Sequence, residues 1–501
     1  MSMVLKQASR SGQLKLSTEY VQSQFTWVVS LALTLIFLFN SFDWGTGSMQ
    51  TIGFTAFAAY GLFTILQIII TVLIRTDLMK HGEIRGSTRA LGYVQLLSVA
   101  TGNIFIVASA FHLIKKKKSA EYTLAVYLLL TQLFVIVLSA LNLFKPYVSD
   151  TFLPAMFVLA VVLLFDLIVL GLTAKYVSYD QAPKWMVYIA VPLIITSITG
   201  NLFALLLGVS LLIKVRSSYT VTSGKWERVW GKITQNTTSM LGLFFIILMF
   251  AISVCSYFTF DYDMAIENNY SAILQTPSLS YPLGTDHFGR DLFSRIVFGA
   301  RISLIVGFMS TLIPVIIGGI LGALAGYYGR RADNVIMRLL DVLYAIPGIL
   351  LAIAIIAAFG ANTTNLIIAL SVGSIPTYAR TMRANVLMVS NFEYVDAARA
   401  FGSSNLSIIF KHIVPNSLAP MIVKSTLTIG GAVIATSSLS YLGLGVEPHI
   451  PEWGNILKVG STYLESHSYL AIYPGLAIVA LVLSFNFLGD GLRDALDPKL
   501  D

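Results

Sequence analysis

Residues 390–415 read SNFEYVDAARAFGSSNLSIIFKHIVP, a polar, charge-bearing interruption in the very apolar last third of the chain. Ser390 with Glu393 three residues later forms a capping box, which predicts a helix starting there. Phe392, Val395, Ala398 and Phe401 recur at helical spacing on one face, and Gly402 suits the left-handed turn that ends the element. Ser403 or Ser404 then caps a second helix, whose Leu406, Ile409, Phe410 and Ile413 fall at i, i+3, i+4 and i+7. Pro415 is expected to stop it. Two amphipathic helices between membrane spans leave apolar faces free for a partner's groove. On spacing alone the competing reading is a loop lying flat on the membrane surface.

Around this stretch the composition is that of a membrane protein. Of 501 residues, 56 % are hydrophobic and only 12 % charged, about half the charged share of a soluble chain. Runs long enough to cross roughly 30 Å of hydrocarbon occur near 25–41, 51–75, 90–114, 122–144, 152–176 and 185–214. Six more follow near 240–260, 302–327, 343–360, 364–387, 420–442 and 470–490. The expected fold is therefore an all-α polytopic membrane protein of about twelve transmembrane helices in two blocks of six. Between the blocks lies a polar stretch carrying Lys214, Arg216, Lys225, Arg228 and Lys232. The expected division is a membrane module over 1–215, a basic cytoplasmic linker over 216–238 and a second membrane domain over 239–501. The polar, mildly basic amino terminus lacks a small-residue cleavage site, so the first span is read as retained.

Basic residues set the orientation. In the second block the linker, the loop with Arg330, Arg331 and Arg338, and the 390–415 loop with Arg399 and Lys411 belong inside, leaving 261–300 and 443–469 outside. The first block conflicts with the rule. Six spans from an inside amino terminus put Lys115-Lys116-Lys117-Lys118 on the outer face.

Several chemistries are excluded. Gly224-Lys225-Trp226 and Gly231-Lys232-Ile233 lack the earlier glycine and the Ser/Thr of a phosphate-binding loop, so the chain is not expected to hydrolyse ATP itself. The six histidines show no i, i+4 pair, no metal site is expected, and no GxSxG turn presents a nucleophile. The single cysteine, Cys255, sits in an apolar run and reads as packing. The net charge of +8 suits basic loops against anionic membrane lipid, and no clustered basic and aromatic face suggests nucleic acid. The chain reads as a conduit rather than an enzyme.

The 390–415 stretch resembles the EAA loop of the membrane subunits of ATP-binding-cassette (ABC) importers. Asp396-Ala397-Ala398, Gly402 and Val414-Pro415 stand where that family has Glu-Ala-Ala, Gly and Leu-Pro. Further matches, in order over about 240–501, resemble the dipeptide and oligopeptide permeases. They are Tyr281 to Asp286 with Gly289-Arg290-Asp291, Gly299 to Leu304, Ala345-Ile346-Pro347, Tyr441 to Val446 with Trp453-Gly454, and Gly489 to Pro498. The resemblance implies a permease subunit of an ATP-driven peptide importer, in the plasma membrane of a prokaryotic cell. Its implied partners are a second homologous permease, two ABC ATPase subunits that use the ATP, and an extracytoplasmic peptide-binding protein. No cofactor would be bound directly. Glu393, Asp396, Ala397, Ala398, Gly402 and Pro415 would form the surface that couples to the ATPase.

Other residues carry two readings each. Gly318, Gly322 and Gly326 make a flat face for close helix approach, within this chain or across a subunit interface. Asp286, Arg290 and Asp291 either dock the external binding protein or form a salt-bridged turn, the turn being favoured because the charges alternate. Pro347 is expected to kink its span. Asp166, alone in an apolar run, is either satisfied by a neighbouring helix or functional. The amino-terminal block lies outside the resemblance and receives no function. Cargo is open as well, since nickel and other small-solute importers use similar subunits. Two other classes share the composition: an ion-driven secondary transporter, which predicts related halves, and a membrane sensor. Co-purification of an ATPase separates them from an importer.

Overall fold

The computed structural model describes residues 17–43, 48–49, 51–116, 118–178, 181–217 and 225–496. Lys117, Lys225's neighbour Gly224 and the closing Asp497-Pro498 lie outside the described residues. Contacts divide the chain into two compact units: Met1–Leu130, Phe165–Ile194 and Leu206–Ser223 make one, and Thr131–Leu164, Ile195–Leu205 and Gly224–Asp501 the other. Among the described residues, eight helices are long and apolar enough to cross a membrane, or nine if one bent pair counts as a span.

From its amino end the described chain has α1 (Thr18–Ser41) and α2 (Thr51–His81). The run 90–114, expected as one span, is instead two short helices, α3 (Gly86–Gln95) and α4 (Ile104–Ile114). Gly102 between them takes φ +70°, which glycine adopts without a Cβ clash, and Asn103 caps α4 by accepting from Ile106 N at 3.2 Å. The two helices fold back on each other. A Cβ at Gly92 would lie 3.2 Å from the Ala110 carbonyl oxygen, and Arg89 Nη1 donates to Leu113 O at 2.8 Å. Helices α5 (Ala120–Ala140) and α6 (Phe152–Tyr176) follow. The run 185–214 is likewise a pair, α7 (Val187–Thr196) and α8 (Leu202–Ser217), with Gly200 at φ +87° in the turn. Here a Cβ at Gly208 would lie 3.0 Å from Ala190 O.

The second unit holds α9 (Lys225–Gln235) and α10 (Thr237–Thr259), the latter capped by Asn236, which accepts from Thr238 N and Ser239 N. After an outer loop comes α11 (Leu292–Tyr328). Then α12 (Arg330–Tyr344) and α13 (Gly348–Phe359) meet at a 79° bend. Pro347 stands at that bend, where its missing N–H and fixed φ end one helix and start the next.

Helices α14 (Thr363–Val389), α15 (Glu393–Ala400), α16 (Val414–Tyr441), α17 (Trp453–Thr462) and α18 (Tyr469–Leu496) complete the chain. In lipid the hydrophobic effect does not draw spans together, so close backbone packing must. Gly318, Gly322 and Gly326 supply it within this chain. Cβ atoms there would lie 2.8 Å from Ile375 O at Gly318 and 3.0 Å from Arg383 O at Gly326, and at Gly322 one would collide with Ala379 O. The glycine face thus seats α11 on α14. Around Trp453, Leu292, Ala300, Leu481 and Phe485 form a core at the outer end. Gly299 admits the indole, whose Nε1 donates to Ile296 O at 2.9 Å.

Candidate functional site

The 390–415 loop grows out of the end of α14. Helix α15 begins at Glu393, two residues later than a cap at Ser390 would start it, and without a capping box: Phe392 is its N-cap and makes no side-chain cap bond. Ser390 closes α14 instead, its Oγ donating to Leu387 O at 3.2 Å. The preceding helix competes for that serine and wins because its last carbonyls also need donors. Gly402 ends α15 at φ +76°, with its N–H donating to Arg399 O and that of Ser403 to Ala398 O. Ser404 then caps the next turn, accepting from Ser407 N at 3.4 Å.

Pro415 does not stop the second helix. Asn405–Ser407 leads into a π-helical stretch, Ile408–Ile413, and this runs into α16 with Pro415 in its first turn. Residues Asn405–Tyr441 therefore form one continuous apolar rod. The proline has no N–H for the carbonyl of the preceding turn and its ring crowds that carbonyl, and the widened π turn accommodates both defects.

The faces divide sharply. Val395, Ile408, Ile409 and Ile413 are fully buried against Tyr378, Met382, Val386 and Ala323. Each buried aliphatic side chain at this watery boundary contributes about 1.5–3 kcal/mol to holding the loop. Ala398 packs against the rim of that cluster. The loop is tied further by Tyr327 Oη donating to Asn405 Oδ1 at 2.8 Å. The other face is open: Glu393, Asp396, Ala397, Gly402 and Pro415 are all exposed. So are Phe392, Leu406 and Phe410, while Phe401 is 90 % exposed. The expected apolar stripe thus splits, half anchoring the loop and half presenting aromatic and aliphatic groups outward. Among the described residues Asp396 pairs only with Arg399 of its own helix, at 2.9 Å and in solvent, so it is weakly held and free to exchange partners. Phe401 and Tyr327 are the two residues whose parts the motif did not disclose; an aromatic residue beside a turn glycine was the available signal.

Elsewhere, Asp286, Arg290 and Asp291 are buried. Asp286 accepts from Phe288 N, Arg290 N and Arg290 Nε at 2.7–3.0 Å. Asp291 caps α11, accepting from Ser294 N at 2.9 Å and Ser294 Oγ at 2.7 Å. These side chains build the turn and offer nothing outward. Asp166 is fully buried in α6, and among the described residues neither carboxylate oxygen has a hydrogen-bond partner. Cys255 is buried in α10 and donates to Thr199 O at 3.2 Å. Among the described residues no group of three His, Cys, Asp or Glu is placed to hold a metal ion.

Comparison with known proteins bears on the same region. Residues 318–501 match the family model described as binding-protein-dependent transport system inner membrane component. The chain is 42 % identical over 275 residues to the glutathione transport system permease protein GsiD of Pectobacterium atrosepticum, covering 55 % of this chain and 91 % of that one. It is 43 % identical over 282 residues to the dipeptide transport system permease protein DppC of Alkalihalophilus pseudofirmus, covering 56 % and 92 %. Among solved structures, a chain of the MetNI methionine ABC transporter in an inward-facing conformation matches 40 % of this chain and 97 % of its own, with 21 % identity and a TM-score of 0.34.

Proposed function

The chain belongs to the family of binding-protein-dependent transport system inner membrane components, the permeases of bacterial ABC importers, and from that membership we propose that it passes peptides through the cell membrane under the drive of separate ATPase subunits. Its cargo on this reading is a dipeptide, oligopeptide or peptide-like solute such as glutathione, in keeping with what the relatives are named for. It contributes half of the pathway beside a second permease, with two ATPases below and an extracytoplasmic binding protein above.

The observation that supports coupling at 390–415 is the division of that loop into a buried anchor and an open face. Closure of the ATPase dimer pushes on Glu393, Asp396, Ala397, Phe401 and Gly402. Because Val395, Ile408 and Ile409 are locked into the core formed with α14, the push is passed to α14 and α16 rather than absorbed by the loop. The spans then reorient, the binding protein releases its peptide, and hydrolysis restores the inward-open state. Such coupling needs the ATPase to contact this face differently in its two states. The carboxylates meet basic partner groups, the alanine allows close approach and the exposed aromatics enter apolar hollows.

The test is Asp396→Lys and Gly402→Leu, with peptide uptake and ATPase association measured together. Loss of coupled uptake in protein that is still inserted is expected. Unchanged peptide uptake in both variants would remove the proposal.

A further inference from the structure

The amino-terminal half repeats itself. Ser17-Thr18-Glu19-Tyr20 returns as Ser119-Ala120-Glu121-Tyr122, and Thr101-Gly102-Asn103-Ile104-Phe105 as Thr199-Gly200-Asn201-Leu202-Phe203. The basic run that ends at Ser119 returns as Lys214-Val215-Arg216-Ser217. Equivalent residues also do equivalent things. Ser17 Oγ accepts from Tyr20 N at 3.4 Å and Ser119 Oγ from Tyr122 N at 3.2 Å. Glu19 pairs with Lys118 at 3.3 Å and Glu121 with Lys214 at 2.8 Å, each joining the start of the copy to the basic run at its end. Both turn glycines are left-handed. The close approach of Gly92 to Ala110 recurs as that of Ala190 to Gly208, at positions shifted by the same 98 residues as the turns. Each copy is thus two long helices followed by a helical hairpin: α1, α2, α3–α4, then α5, α6, α7–α8.

A buried ion pair fixes which way the hairpins run. Lys145, in the segment between α5 and α6, lies 2.6 Å from Asp291 and donates to Ser294 Oγ at 2.7 Å. The two charged side chains are 3 % and 0 % exposed, and the Phe260 and Phe293 rings flank the ammonium at 5.3 and 5.6 Å. Asn142 Nδ2 donates to Thr259 O and Thr151 Oγ1 to Phe258 O, both at 2.8 Å. Residues 142–151 therefore share a membrane face with the outer loop after α10. Between them the chain crosses in α6 and again in α10, so α7–α8 must return to the side it entered from. Its tip is sheltered as non-helical backbone in a membrane must be, with Cys255 Sγ donating to Thr199 O and a Cβ at Gly200 reaching 2.8 Å from Ala251 Cα. The same hairpin in the first copy brings Lys115, Lys116 and Lys118 back to the side of Arg75, Arg85 and Arg89. The basic stretches of the chain then lie inside together, and the outer-face lysines expected from six spans disappear.

We propose that residues 17–217 are two tandem copies of one membrane module, each of two spans and a hairpin that enters and leaves on the cytoplasmic side, and that Lys145 of the second copy fastens it to the outer loop of the permease. The 142–151 segment of the second copy is then a fixed part of the importer's scaffold rather than a passenger on a linker, and Lys145 is a positioning residue for α11. Two measurements on the full chain in cells test it, with Cys255→Ala as background. Tyr147→Cys should react with a membrane-impermeant maleimide in intact cells and Lys116→Cys only after the membrane is opened; the reverse for either overturns the topology. Lys145→Met should give several-fold less inserted, detergent-stable protein, because Asp291 is left as an unpaired buried charge. Adding Asp291→Asn should restore much of that yield. Lys145→Met with wild-type yield, or a paired variant no better than Lys145→Met alone, overturns the fastening.

Discussion

Phe401 has the most exposed large apolar side chain of the 390–415 loop, and among the described residues nothing covers it. Phe401→Ser should leave insertion and stability unchanged while ATPase pull-down and uptake fall together, which a structural residue would not do. Its neighbour Gly402 answers to a different cause. A Cβ there meets nothing within 4 Å, but φ is +76°, so Gly402→Val costs about 1–2 kcal/mol of local strain without a clash. Its effect should appear in coupling and be milder for Gly402→Asn, which tolerates that conformation. Gly322 is the opposite case, ordinary in φ and without space, since an added Cβ would overlap the Ala379 carbonyl. Gly322→Val should therefore sharply reduce recovery of folded protein from the membrane, measured as the monodisperse fraction in detergent. Motif spacing marked all three glycines of the stripe. Alternating charge also favoured a closed turn for Asp286, Arg290 and Asp291, and the three are buried with Asp286 paired to Arg290; what it could not reveal is Lys145 as the partner of Asp291, 146 residues away in the chain.

Helix patterns were legible where one face was apolar and the other polar, as in α15, and where a span was a single uninterrupted run, as in α10 and α18. They failed where a turn is built inside an apolar run. Thr101-Gly102-Asn103 and Thr199-Gly200-Asn201 are flanked on both sides by residues as apolar as any span, so hydropathy counts two short helices as one long one. Pro415 misled for the complementary reason, because a first-turn proline and a helix-ending proline differ only in what precedes them. Here a π stretch precedes it. Pro415→Ala restores the N–H and should relax Ile408–Ile413 toward α geometry, turning the exposed face with Leu406 and Phe410 by about 100° per residue of register. Uptake should fall with the protein still inserted, and cysteine cross-linking from Leu406 to the ATPase should shift to a neighbouring position.

At the scale of the whole molecule, the second block carried its assignment in its sequence because its motifs are dispersed over about 240–501, whereas the first block showed no motif that could be matched. Its internal repetition becomes plain only when contacts such as Glu19 with Lys118 and Glu121 with Lys214 are set side by side. If the two halves were merely tethered, cutting the 218–224 segment by an inserted protease site would separate them. The Lys145–Asp291 pair predicts that the two fragments stay together through detergent purification, which co-elution on a sizing column checks. The seating of α11 on α14 sets a limit on how such a machine can work. Two rods whose main chains touch along three successive turns have no clearance to slide or tilt past one another without breaking contact everywhere at once. They travel as a single slab, so a passage that widens and narrows has to find its moving seam along some other edge.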